Sequence, residues 1–295
     1  GKRLNNIYEK QNENEVLLLL FSARKLYNRA SILNTLLWCA ALTSVLLSNN
    51  GYVKEKLGYY IIVIPVILTF ATNFLQNMIN STIQLGASTK ELIDRTLFNF
   101  TIPKEIGGYT KEELYERAIK ERDKHTKEYA TAIKNTGRDK SKGVRNWYEG
   151  IMNKEGNEAI LACQKENAWY DKKISRAYAG VCVVILIALI SLIILFIQKN
   201  SQGFPILVII CSYMSLLRKI YTDLKKYQAV KNYALSMEVA IENAEISSEL
   251  TSDVLDRLQK YIYQRRLIHF TPFNLIHSFY ALKLHNVWKE KGKYE

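Results

Sequence analysis

The sequence predicts an all-α membrane protein. It has four transmembrane helices in two hairpins, and a helical cytoplasmic domain built from the insert between the second and third spans and from the C-terminal tail. Three observations carry this. Ala177 to Ile197 reads AYAGVCVVILIALISLIILFI, 21 residues without a charge, which is the length a helix needs to cross hydrocarbon. A short polar break, Gln198 to Gly203, leads into a second uncharged run, Phe204 to Leu217, so the two runs form a hairpin that crosses and returns. Soluble core helices seldom stay uncharged for so long. Finally, of the 41 Lys and Arg, all but Lys54, Lys56 and Lys199 lie in the segments 1–29, 76–176 and 218–295.

That last asymmetry sets the orientation, because positive charge near the ends of spans stays on the cytoplasmic side. Both termini and the insert are therefore expected in the cytoplasm of a multi-pass protein held in the lipid bilayer. The loops left on the other side are too short to form a receptor domain. The net charge of +13 reads in part as this topology signal rather than as the mark of a nucleic-acid binder, and no DNA or RNA duplex is expected as a partner.

Taken in order, residues 1–29 read as a cytoplasmic amphipathic helix that runs directly into the first span. Its apolar positions are Ile7, Val16, Leu19, Leu20, Leu26 and Tyr27. Val16–Phe21 is too short, and too closely followed by Arg24 and Lys25, for the layout of a cleavable signal. The first hairpin occupies 30–78, with spans at 30–47 and 57–78 around the turn signal Ser48-Asn49-Asn50-Gly51. Pro65 inside the second span predicts a kink. The insert, 79–176, carries two capping-box patterns, Ser88 with Glu91 and Thr110 with Glu113, each predicting a helix start. The second of these helices is expected to run from Lys111 to about Asn135 with alternating charges on an exposed face. Asn157–Arg176 resumes helix and enters the second hairpin, 177–217, with spans at 177–197 and 204–217. The segment 218–295 then supplies a stalk with an apolar stripe (Leu216, Ile220, Leu224, Tyr227, Leu235, Ile241), a helix over Thr251–Leu267, a break at Pro272 and an aromatic tail over Phe273–Trp288.

The chemistry-bearing residues argue against an enzyme. Cys39, Cys163, Cys182 and Cys211 form no CxxC pair, and the three inside apolar runs behave as small apolar side chains. His125, His269, His277 and His285 make no HExxH, and the last three, eight residues apart, are too widely spaced to be adjacent ligands on one helix. No phosphate-binding glycine loop or nucleophile elbow is present. Neither a metal nor another cofactor is expected.

Two polar features remain. Thr69, Thr72, Asn73, Gln76 and Asn80 share one helical face of the second span, with Asn34 and Thr35 on the first span and Ser212 and Ser215 on the fourth. Polar side chains at membrane depth face a partner helix or water rather than lipid. Hydrogen bonding inside a four-helix bundle, or a helix leaving the membrane, is the plainer account, and a stripe lining an aqueous path is the sharper one. No charged side chain falls within any of the four spans as read, which argues against a proton relay or a voltage sensor. The second feature is the loop Lys134–Tyr148, KNTGRDKSKGVRNWY. There Lys134, Arg138, Lys140, Lys142 and Arg145 stand against Asp139 alone, beside Trp147. Cations with an adjacent aromatic suit phosphate and a stacked base, while a solvated loop or one resting on anionic head groups is the plainer account.

Certain stretches resemble a known family. These are the opening N-N-I-Y-E-K-Q-N (Asn5–Asn12), S-A-R-K-L-Y (Ser22–Tyr27) just before the first span, two hairpins around a hundred-residue insert, and L-Q-K-Y-I-Y-Q-R-R (Leu258–Arg266) before a proline and an aromatic segment. Together they resemble the SMODS-associating four-transmembrane (S-4TM) pore-forming effectors of bacteria. The resemblance implies an antiphage effector of a cyclic-oligonucleotide system, dormant until it oligomerises or opens and permeabilises the inner membrane. It carries no residue-level ligand site. The expected function is a homo-oligomeric pore in the bacterial inner membrane, gated through the cytoplasmic domain by a cyclic oligonucleotide. The alternative is a non-conducting membrane scaffold that recruits a cytoplasmic partner.

Overall fold

The computed structural model describes residues 7–148, 151, 153–199, 203–246 and 250–268, together with Lys283 and Val287. Among them the regular elements are all helical. A short α1 (Ile7–Lys10) precedes α2 (Asn14–Asn49). Helix α3 (Gly51–Leu57) and a 3-10 turn (Gly58–Ile62) lead into α4 (Val63–Phe98). The short α5 (Lys111–Lys124) and α6 (Thr126–Ala132) follow, then the two longest helices, α7 (Gly156–Lys199) and α8 (Gly203–Ile246), and finally α9 (Ser252–Leu267).

At 1.5 Å per residue, the 36 residues of α2 and of α4 extend about 54 Å and the 44 of α7 and of α8 about 66 Å. Each exceeds the roughly 30 Å of a hydrocarbon layer. Three segments are long and apolar enough to cross a membrane: Asn14–Asn49, Gly51–Phe98 and Gly156–Lys199, the last with a mean hydropathy of 3.4. In α8 the uncharged run ends at Leu217 and Arg218 follows, so its apolar length is shorter.

The long helices pack as antiparallel pairs, as their side-chain partners show. Along α7 and α8 the pairs are Lys165 with Glu245, Lys172 with Glu238 at 2.6 Å, and Tyr178 with Tyr227 at 5.6 Å between rings. As one number rises the other falls. Just ahead of α2, Lys10 of α1 donates to the Thr96 carbonyl of α4 at 2.5 Å, while further along Gly86 of α4 lies under Tyr27 of α2, where a Cβ would sit 3.2 Å from the ring. Glycine allows that approach.

Large apolar side chains are exposed in a belt around one section of the bundle. Ile32 and Leu46 of α2, Phe70 and Phe74 of α4, Val184 and Leu195 of α7 and Met214 of α8 all belong to it. A soluble monomer avoids an apolar surface of that extent, whereas a lipid-facing one requires it.

Beyond the belt the helix ends gather with α5, α6 and α9 into a head. At its centre Val16–Ala23 of α2 is buried on every side, against Leu92, Leu97 and Phe98 of α4, Leu114 and Ala118 of α5, Ile160 of α7 and Leu255, Leu258 and Ile262 of α9. This differs from the single apolar stripe expected for residues 1–29. A helix surrounded by its own domain has no water-facing side to keep polar.

Other local expectations divide. Thr110 caps α5 as read: its hydroxyl accepts from Glu113 N at 3.2 Å, and the Glu113 carboxylate accepts from Thr110 N at 2.8 Å. Ser88 with Glu91 starts no helix, because α4 passes straight through both, and Glu91 is instead recruited into a buried ion cluster. The helix expected from Lys111 to Asn135 breaks at His125 (φ −131°, ψ 43°) into α5 and α6. Pro65 falls in the first turn of α4 rather than its middle, where its missing N–H leaves nothing unpaired. The tail expected over Phe273–Trp288, with His269, His277 and His285, lies outside the described residues except for Lys283 and Val287.

Candidate functional site: a polar interior within the helix bundle

The polar face expected on α4 splits in two. Thr72 is buried and Thr69 half-buried. The Thr69 hydroxyl lies 2.8 Å from Ser215 Oγ of α8, in hydrogen-bond contact, and Thr72 donates to the Thr69 carbonyl at 2.9 Å. Gln76 donates to Asn80 at 2.8 Å along the same helix. Asn73 is exposed, on the outer side with Phe70 and Phe74. Thr69 and Thr72 thus face the bundle, Gln76 and Asn80 bond each other, and Asn73 points outward.

Helices α2 and α8 complete the interior. Asn49 donates to Ser212 at 3.1 Å. Asn34 is buried, as are Ser44 and Ser48, which share the face of Trp38 and Ala41. One turn beyond Ser215 lies Lys219, whose ammonium is 2.7 Å from the Asp223 carboxylate, with side chains only 5% and 7% exposed. The same ammonium is 5.9 Å from the centre of the Trp38 ring, a cation–π distance. Trp38 belongs to the apolar run 30–47, and lipid-facing Ile32 lies six residues, or about 9 Å, further toward the head. The ion pair is therefore inside the apolar belt. Lys219 and Asp223 fall outside the uncharged run 204–217 read as the fourth span, yet α8 continues beyond that run at a depth that α2 and α7 still occupy with apolar residues.

The basic loop is ordered. Asp139 closes a turn by accepting from Thr136 N at 2.6 Å and from its hydroxyl at 3.1 Å. Gly143 N donates to the Thr136 carbonyl, and a Cβ at Gly143 would fall 1.6 Å from the Asn135 carbonyl oxygen. Arg24 reaches the Lys142 carbonyl at 2.5 Å, Asn12 donates to Asn146, and Gln11 bonds both backbone groups of Tyr148. Lys134, Arg138, Lys140, Lys142 and Arg145 are all exposed. The exposed Trp147 ring carries Lys90 of α4, with the ammonium 4.6 Å from the centroid.

A family model for the SMODS-associating 4TM effector domain matches residues 5–286. The chain belongs to that family. No curated protein and no solved structure matches it. As a SMODS-associating 4TM effector it is a multi-pass membrane protein and an effector of SMODS-associated defence systems, and the exposed apolar belt is the surface its helices turn to lipid.

In this effector the sequence signals missed a second polar centre, in the head. Arg95 bonds Glu91 at 2.7 Å, Asp256 at 3.0 Å and the Thr101 carbonyl at 2.7 Å. Gln259 donates to Glu91 at 2.8 Å and to Asp94 at 3.0 Å, and Arg266 pairs with Asp94 at 2.7 Å. Tyr148 also donates to Asp94, at 3.2 Å, and Arg265 pairs with Asp171 of α7 at 2.5 Å. Burial raises the pKa values of Glu91 and Asp171. Burial opposes the Arg266 charge, but Asp94, Tyr148 and Glu91 hold its pKa above the ordinary value. Lys90, between the Tyr27 and Trp147 rings, is lowered to about 8 by burial and then by Arg266. The one available signal was the spacing Glu91-Asp94-Arg95 on a helix face, together with the paired Arg265-Arg266 late in α9. Among the described residues, no group of three or more His, Cys, Asp or Glu is placed to hold a metal.

Proposed function

We propose that this effector forms a pore in the bacterial inner membrane, with both termini and the head in the cytoplasm, and that a cyclic oligonucleotide reaching the head opens it. The observation that carries the reading is the polar interior shared by α2, α4 and α8, from Asn49–Ser212 through Thr69–Ser215 to Lys219–Asp223. A bundle needing only an anchor is most stable with an apolar interior, since buried ion pairs seldom add stability over packed hydrocarbon. Four packed helices leave little room for a water path, so conduction calls for several copies. On this reading exposed Asn73 meets a neighbouring copy or the water between copies.

The head has a direct mechanical route to that interior. Helix α4 carries Thr69 and Thr72 at one end and Glu91, Asp94 and Arg95 at the other, with no break between. Helix α9 grips the head end of α4 through Gln259 and Arg266. Ligand that displaces α9 therefore frees α4, and α8 moves with it through the Thr69–Ser215 contact. The exposed cations Lys134, Arg138, Lys140, Lys142 and Arg145 would draw the phosphates to the head.

Ion-flux measurements on liposomes carrying the purified protein, with and without cyclic oligonucleotides, test this. Ligand-dependent leakage is expected. Liposomes that stay tight under every condition, while the head captures a soluble partner, would establish the scaffold alternative instead.

A further inference from the structure

We infer that Lys219 and Asp223 determine the charge selectivity of the conducting path, an inference that rests on the pore reading above. Ser212, Ser215, Lys219 and Asp223 follow one another at offsets of 0, 3, 7 and 11, one face of α8, and all four are buried in the interior. Ser215 touches Thr69 of α4, and the Lys219 ammonium lies against Trp38 of α2. The face is therefore the one α8 turns to both helices that carry the other polar groups.

Ionisable side chains at membrane depth are costly, and they face an interior or a water-filled path rather than lipid. Stability does not explain this pair, because a hydrocarbon pair of similar volume would hold the bundle as well or better. The ion pair itself does not bridge two helices, since both charges ride on α8 one turn apart, bonded at 2.7 Å, and the contact that reaches α2 is the Lys219 ammonium on the Trp38 ring. What the arrangement does provide is storage. At rest the two charges neutralise each other against Trp38. When α8 moves and water enters along its polar face, both are delivered to the path together, one positive and one negative group at a fixed depth in each subunit. Rings of fixed charge at a constriction select ions by sign, and with both present the path discriminates weakly. Removing either charge exposes the other.

The test is the ratio of potassium to chloride permeability in planar bilayers under a KCl gradient, for the full-length wild type, Lys219→Gln and Asp223→Asn. Lys219→Gln is expected to raise the ratio several-fold and Asp223→Asn to lower it several-fold. A single variant left with an unpaired buried charge is prone to misfold, so a neutral double variant, Lys219→Gln/Asp223→Cys, supplies a second route. It is reconstituted first and then modified with a cationic or an anionic methanethiosulfonate, and Lys219→Gln/Asp223→Asn given the same reagents accounts for the native cysteines. Opposite shifts with the two reagents support the inference. Conducting protein whose ratio is unchanged in every variant, or whose introduced thiol never reacts, overturns the inference and leaves the pore reading standing. Wild type that never conducts overturns both.

Discussion

Arg266 of α9 lies 2.7 Å from Asp94 of α4, with both side chains almost wholly buried. The pair ties the last described helix to the head end of the helix that carries Thr69 and Thr72. Asp94 also accepts from Gln259 and Tyr148, so one carboxylate serves three donors. Asp94→Ala leaves a guanidinium, an amide and a phenol without it, and a broken buried pair costs about 3–5 kcal/mol. Asp256→Ala, at a partner more open to solvent, is expected to cost no more than about 1 kcal/mol. Thermal unfolding in detergent distinguishes the two, and equal midpoints would mean that Asp94 is not the hub.

Lys90 gives the head a pH response. Its pKa in the folded protein is about 8, below its ordinary 10.5. Below pH 8 it is charged in both folded and unfolded chains, and its unfavourable contribution is constant. Between about 8 and 10.5 the unfolded chain holds the extra proton, so stability rises with pH across that window. Above pH 8 the cation also leaves the Trp147 ring. The wild type should therefore gain thermal stability from pH 8 to 10.5 relative to Lys90→Met, and show a tryptophan fluorescence step near pH 8 that the variant lacks. Parallel profiles would remove Lys90 from the account.

Gly143 is the narrowest point of the basic loop. Gly143→Ala places a methyl against the Asn135 backbone, which cannot yield as a side-chain tip does. The loop is expected to open, and trypsin to cut at Arg138, Lys140 and Lys142 much faster than in the wild type. If those cations hold phosphate, affinity for a cyclic oligonucleotide falls in the same variant while the spans remain intact. An unchanged cleavage rate would show that the turn tolerates the methyl.

Thr69 and Ser215 bond across the bundle. A double-mutant cycle of Thr69→Val and Ser215→Ala is expected to give a coupling of about 0.6 kcal/mol, typical of hydrogen bonds between membrane helices. Thr72→Val, whose hydroxyl bonds only its own helix, should show no coupling to Ser215. Equal coupling for both threonines would mean that the α4–α8 contact is wrongly placed.

The sequence by itself determined the helical class, the apolar runs, the cap at Thr110 and the family. These are legible because they are local: hydropathy sums along a window, and a capping box spans four residues. The tertiary structure decided which polar groups face inward. Val16–Phe21 has the composition of a core segment, yet only the helices around it reveal that no side of it meets water. Ser88 and Glu91 match a helix start by spacing, but α4 continues because Glu91 finds Arg95 and Gln259, the latter 168 residues away. Lys219 and Asp223 fall at the start of the segment 218–295 that reads as a cytoplasmic stalk. Their depth is set by Trp38 on α2, and nothing within reach of a local window says where that ring lies. Burying a charge is decided by its partners, and here those partners arrive from distant helices.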